Sequence, residues 1–111
     1  MFDESPNFPY QNLCVGDYHD QFAERDHFLL DVRELVEYVG GRIPGAVNIP
    51  LNQVPARLSE IPHDKPVVVV CEHGIRSVMA AEYLAHNGFK NLYNLTEGTF
   101  GWMMRRYPLE Q

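Results

Sequence analysis

Cys71 is the residue in this sequence best placed to do chemistry. It closes an apolar run, Val67-Val68-Val69-Val70, and is followed at once by Glu72-His73-Gly74-Ile75-Arg76-Ser77 and a helix-forming stretch. The thiolate is the nucleophilic form of cysteine, and the amides of a tight loop leading into a helix N-terminus stabilise its charge. Gly74 lets such a loop curl with successive N–H groups pointing inward, and Arg76 adds a permanent cation at its rim. The pattern describes an anion cradle with a nucleophile on its floor. A lone cysteine ending a strand is more commonly a small buried apolar residue, but that role does not require the Gly-x-Arg-Ser that follows here.

Two neighbours of Cys71 bear on that chemistry. Glu72 places a carboxylate next to the nucleophile; facing the thiol, it would hold the proton on and repel a dianionic reactant. Its side chain is expected to face solvent, where that effect is weak. His73 could donate a proton to a leaving group, and a rim histidine that only hydrogen-bonds locally fits the sequence as well. Cys71-x-His73 falls short of a zinc ligand set, and no other Cys/His cluster follows. Cys14 reads as a buried strand residue.

The composition limits what surrounds this loop. A chain of 111 residues with 45% hydrophobic and 22% charged residues is that of one ordinary globular domain. The net charge of -6 argues against nucleic acid or an anionic membrane surface as the main partner. Two cysteines, Cys14 and Cys71, are too few for the disulfide framework of a small secreted domain. The start, Met1-Phe2-Asp3-Glu4-Ser5-Pro6, is acidic with no apolar segment behind it, so neither a signal peptide nor a membrane span is expected, and a reducing cytoplasm is the default setting.

The elements that must position Cys71 follow from periodicity. Residues 1–9 read as a lead-in and 10–111 as a single domain. Strands are predicted over 10–15, 27–32, 46–49, 67–70 and 91–95. Helices are predicted over 16–24, 34–39 (stopped by Gly40-Gly41), 51–61, 77–87 and 98–106. Leu51, Val54, Leu58 and Ile61 recur at helical spacing, and Gly88 with Phe89 fits a helix C-terminal cap after Asn87. An uninterrupted run of β-branched residues suits a central parallel strand covered on both faces. The alternation predicts an α/β fold, an open parallel sheet with helices on both faces.

Sites in such sheets form at the carboxyl ends of the strands. Applied here, that rule brings Asp31-Val32-Arg33, Cys71 to Arg76, and Thr96-Glu97-Gly98 to one edge. Asp31 and Arg33 are expected to tie their loop together by hydrogen bonds. Trp102, Met103 and Met104 read as core or pocket wall, and Arg105-Arg106 as a solvated helix end.

Over about Gln11 to Pro108 the chain resembles the single-domain rhodaneses, a sulfurtransferase family. Leu30-Asp31-Val32-Arg33-Glu34 with Glu37-Tyr38 is similar to the first family signature, and Arg42-Ile43-Pro44-Gly45-Ala46-Val47-Asn48-Ile49-Pro50 to the second. Cys71 to Ser77 resembles the active-site loop, and 87–95 with Gly98 and Trp102 the closing part. Two positions depart from the pattern: Arg42 stands where His is common, and Glu97-Gly98 where a Gly-Gly pair is common, the latter at the rim of the site.

The resemblance implies a rhodanese-like fold and a two-step transfer. Cys71 takes the outer sulfur of a small anionic or persulfide donor such as thiosulfate, and the resulting persulfide passes it to cyanide, a thiol or a protein acceptor. The loop residues Glu72, His73, Gly74, Ile75, Arg76 and Ser77 would hold the negative persulfide. No metal or organic cofactor is required. Two alternatives remain at this level. One is a non-catalytic binding or regulatory module of the same fold, against which retention of Cys71 argues. The other is a Cys-dependent phosphatase or arsenate reductase, whose loop puts one more residue between Cys and Arg than the Glu72-His73-Gly74-Ile75 found here.

Overall fold

The computed structural model describes residues 9–111, so all of the 1–9 lead-in but Pro9 lies outside the described residues. Five parallel strands form one sheet in the order β1-β5-β4-β2-β3. These are β1 (Gln11–Leu13), β2 (Phe28–Asp31), β3 (Val47–Asn48), β4 (Val67–Val70) and β5 (Leu92–Leu95). β4 lies at the centre, with Leu30 opposite Val69 on one side and Asn94 opposite Val69 on the other. All four of its valines are buried. Successive side chains of a strand point to opposite faces, so Val67, Val69 and Cys71 feed one core and Val68 and Val70 the other.

The helices α1 (Val15–Asp17), α2 (Leu35–Gly40) and α3 (Arg76–His86) lie in crossovers between strands, and α4 (Gly98–Met104) follows β5. α3 closes the Cys71 face with Ala80, Ala81 and Leu84. Val15, Tyr18, Phe22 and Trp102 close the opposite face. The fold is thus the predicted parallel α/β sheet covered on both faces. Among the described residues no helix is long and apolar enough to cross a membrane. The C-terminal cap of α3 also forms as its sequence implies: the Gly88 amide donates to Ala85 O at 3.2 Å, the Phe89 amide to Leu84 O at 3.1 Å, and the Phe89 ring is buried.

Several local expectations are corrected. Residues 51–61 form two short 3-10 segments, Leu51–Gln53 and Pro55–Glu60, in place of one α-helix. Pro55 has no N–H to donate to Leu51 O, so the backbone closes tighter i→i+3 bonds such as Val54 N to Leu51 O at 3.2 Å. Val54 and Ile61 still reach the core.

The 16–24 helix begins one residue earlier and widens into a π-turn over Tyr18–Phe22. Cys14 is not a buried strand residue: β1 ends at Leu13, and the partly buried Cys14 caps α1, its Sγ accepting the Asp17 amide at 3.4 Å. α4 stops at Met104, leaving Met103 and Met104 exposed while Trp102 is buried and donates its indole N–H to Pro108 O at 2.8 Å.

Candidate active site

The turn after β4 wraps the Cys71 sulfur in amides. The Gly74 N–H points at Sγ from 3.1 Å and the Ser77 N–H from 3.3 Å, and Cys71 is 1% exposed. The inward aim of these N–H groups has a cause on the outside of the loop. There the carbonyl of Cys71 accepts the Thr99 amide at 2.8 Å and the carbonyl of Glu72 accepts the Phe100 amide at 3.0 Å, both from the first turn of α4. A helix start leaves its first N–H groups without intrahelical partners; here the loop carbonyls take two of them and turn outward. Gly74 has φ +89°, and a Cβ there would overlap the Thr96 carbonyl. The loops after β4 and β5 are thus packed too closely for a side chain between them.

Behind the sulfur runs a polar chain, buried at Ser77 and Asn94 and reaching the surface at Asn12. The thiol contacts Ser77 Oγ at 3.4 Å, Ser77 Oγ donates to Asn94 Oδ1 at 2.5 Å, and Asn94 Nδ2 donates to Asn12 Oδ1 at 3.2 Å. A hydroxyl has one proton to give. While Ser77 gives it to Asn94, it offers a lone pair to the thiol; with the sulfur ionised, the same hydroxyl can turn to donate to it. Cys71 therefore sits among groups that fit both of its protonation states.

A cluster of charges lies beside the loop. Arg33 is 3% exposed and Asp31 fully buried. The Arg33 Nη2 donates to Asp31 Oδ2 at 2.8 Å and to Gly41 O at 2.9 Å, Nε reaches both Asp31 oxygens, and Nη1 reaches Glu72 Oε1 at 3.3 Å. Burial works against the Arg33 charge, and the Asp31 hydrogen bonds together with the charges of Asp31, Glu72 and Glu37 outweigh it, so the guanidinium pKa is raised. Glu72 does not face solvent as expected: its side chain is 28% exposed and bonded to Arg33. Asp31 and Arg33 do tie their own loop together, and they extend the tie to the end of α2 and to the Cys71 loop.

Arg76 stands at the rim with its fork closed on Glu37, Nη1 to Oε1 at 2.8 Å and Nη2 to Oε2 at 3.0 Å. Glu37 also accepts the Glu34 amide at 2.9 Å in a capping box at the start of α2. Hydrogen bonding to Arg76 holds the Glu37 carboxyl at about 2. A depressed folded-state pKa contributes stability at pH values above the ordinary 4.5, and that contribution is lost as pH falls through about 2. In an NMR acid titration Glu37 is therefore expected to stay ionised until about pH 2, and Arg76→Ala to return it toward the ordinary carboxylate range.

The remaining site candidates fall elsewhere. His73 is exposed and leans on the Phe100 ring, centroids 4.9 Å apart. Ile75 is 71% exposed on the outer side of the loop. Glu97 turns its carboxylate to the Val15 amide at 2.6 Å, bracing α1. Arg42 lies over the Tyr38 ring at 4.6 Å and pairs its backbone with Glu110, fastening the C-terminal segment. A hollow of about 440 Å³ lined by Tyr18, His27, Ile43 and Trp102 lies at the amino ends of the strands, on the edge away from Cys71.

Sequence reasoning assigned no role to Glu37, Asn94 or the α4 amides. The Glu34-x-x-Glu37 spacing is that of a capping box, and Asn94 is a polar residue between Tyr93 and Leu95 in an apolar strand; those were the available signals.

The fold and the loop together agree with the comparisons to known proteins. Residues 15–105 match the rhodanese-like domain family. A sulfurtransferase of Allochromatium vinosum is 38% identical over 84 residues, 76% of this chain and 78% of that protein. The thiosulfate sulfurtransferase GlpE of Glaesserella parasuis is 32% identical over 91 residues, 82% of this chain and 84% of its own length. The crystal structure of a rhodanese-related protein from Thermoplasma volcanium superposes with a TM-score of 0.83 at 30% identity, covering 91% of this chain and 98% of that one. The chain belongs to the rhodanese-like domain family, whose relatives here include named sulfurtransferases.

Proposed function

We propose that this protein is a sulfurtransferase working through a Cys71 persulfide, in a reducing cytoplasm where the thiol stays free. The observation that carries the reading is the cradle itself, two backbone amides within 3.3 Å of a buried sulfur. Amides fixed before the reaction stabilise an anion without reorganising.

In the first half-reaction the Cys71 thiolate attacks the outer, sulfane sulfur of the donor. A bond forms between Sγ and that sulfur, the donor S–S bond breaks, and the electron pair leaves with sulfite from thiosulfate or with a thiolate from an organic persulfide. The outer sulfur of the Cys71 persulfide then carries the negative charge near the loop amides, and the Ser77 hydroxyl can turn from Asn94 to donate toward it. In the second half-reaction a thiol or cyanide attacks that sulfur and Cys71 leaves as thiolate.

Incubation with a sulfane donor, followed by intact mass and peptide mapping, tests the reading. The expected result is a reducible gain of one sulfur on the peptide containing Cys71. No gain from thiosulfate or from organic persulfides, or a gain confined to Cys14, would leave the fold with a binding role only.

A further inference from the structure

We propose that the mouth of this site discriminates sulfur donors by charge, Glu37 and Glu72 tuning it against dianions such as thiosulfate and toward organic persulfides of low net charge. The proposal rests on the Cys71 sulfur-transfer reading and adds the donor class. Its basis is that neither arginine near the nucleophile is free.

Arg76 has two of its guanidinium nitrogens on the two oxygens of Glu37, and Arg33 is shared among Asp31, Glu72 and Gly41 O. Two guanidinium groups thus face three carboxylates, Asp31, Glu37 and Glu72, and the cluster carries one net negative charge. The groove beside the loop, of about 520 Å³, has Arg33 as its one basic lining residue among the described residues, together with Glu37 and Glu72. The rest of the chain adds no counterweight, the whole sequence carrying a net charge of -6.

A dianion approaching this mouth meets a field of its own sign, and each carboxylate it passes acts on it with twice the force felt by a monoanion. The walls offer something else. Val36 and Met103 line the same groove and are 80% and 47% exposed, and Ile75 stands out from the loop. Exposed apolar side chains of this kind gain by covering the carbon skeleton of an organic persulfide. Thiosulfate has no such skeleton. Steering by unlike charge speeds association and steering by like charge slows it, in a salt-dependent way.

The closing experiment measures single-turnover sulfur loading of Cys71 from three donors, thiosulfate (two negative charges), hydroxyethyl persulfide (one) and cysteamine persulfide (net zero). Wild type is compared with Glu72→Gln, which removes one negative charge while its amide oxygen still accepts Arg33 Nη1, and with Glu37→Gln, which removes another while keeping an acceptor for the Glu34 amide. Because the donors differ in intrinsic reactivity, the readout is the ratio of variant to wild type for each.

The expected gain at low salt is about fivefold for thiosulfate, about twofold for hydroxyethyl persulfide and smallest for cysteamine persulfide, shrinking as salt is added. Gains equal for all three donors, or none in either variant, would overturn the charge argument while leaving sulfur transfer through Cys71 standing. Failure of every donor to load Cys71 would instead remove the underlying reading.

Discussion

Gly98→Ala is expected to lower stability by about 3 kcal/mol and Tm by on the order of 15 °C, and to remove most sulfur loading of Cys71. Gly98 opens α4 at φ +67°, and a Cβ at that position would overlap the carbonyls of both Cys71 and Glu72. These are the carbonyls that accept the Thr99 and Phe100 amides. The substitution therefore acts twice. It places Ala in the left-handed region, at a cost of about 1 kcal/mol or more, and it pushes the loop off α4, losing two hydrogen bonds of about 1 kcal/mol each. The displaced carbonyls no longer keep the Gly74 and Ser77 amides aimed at the sulfur.

Gly88→Ala separates the two effects. Gly88 has φ +91°, and a methyl group added there would meet no atom within 4 Å, so this variant should show only the backbone cost. Thermal denaturation of both variants checks this, and Gly98→Ala no worse than Gly88→Ala would mean that the contact between α4 and the loop does not hold the cradle.

How far this was legible in the sequence depends on the kind of information involved. An unbroken β-branched run marks β4 and, with the strand and helix alternation, the parallel sheet. The meeting of the three loops follows from the handedness and direction of parallel strands: Arg33 touches Glu72, and Gly74 and Gly98 abut Thr96 and the Cys71 loop. What periodicity does not carry is which charge meets which. Arg33 and Glu72 are 39 positions apart, as are Glu37 and Arg76. Their pairing depends on how α2 is seated over the sheet edge, which an exposed six-residue helix with no buried side chain does not announce. The broken helix at 51–61 is a different case. Its apolar spacing serves either an α-helix or 3-10 turns, and the missing N–H of Pro55 tips the balance.

Those pairings make the second large effect. Arg33→Ala is expected to cost about 3 to 5 kcal/mol, because it strands the Asp31 carboxylate, fully buried, with the Arg33 backbone amide as its remaining hydrogen-bond donor. An exposed pair would cost less than about 1 kcal/mol, so the size of the loss reports the burial.

The double variant Asp31→Leu with Arg33→Met is the informative companion. It removes both charges and fills the space with apolar atoms, and replacements of this kind are often neutral or stabilising by about 1–4 kcal/mol relative to the buried pair. Most of the stability is therefore expected to return. The rate of sulfur loading is not, because Met has no donor for Glu72 Oε1 or Gly41 O, and the Cys71 loop loses its link to α2. Urea denaturation paired with loading kinetics resolves the two roles. A double variant restored in both measurements would make the pair a filler of the core, whereas stability without rate makes it the strut that holds Glu72 and the loop in register.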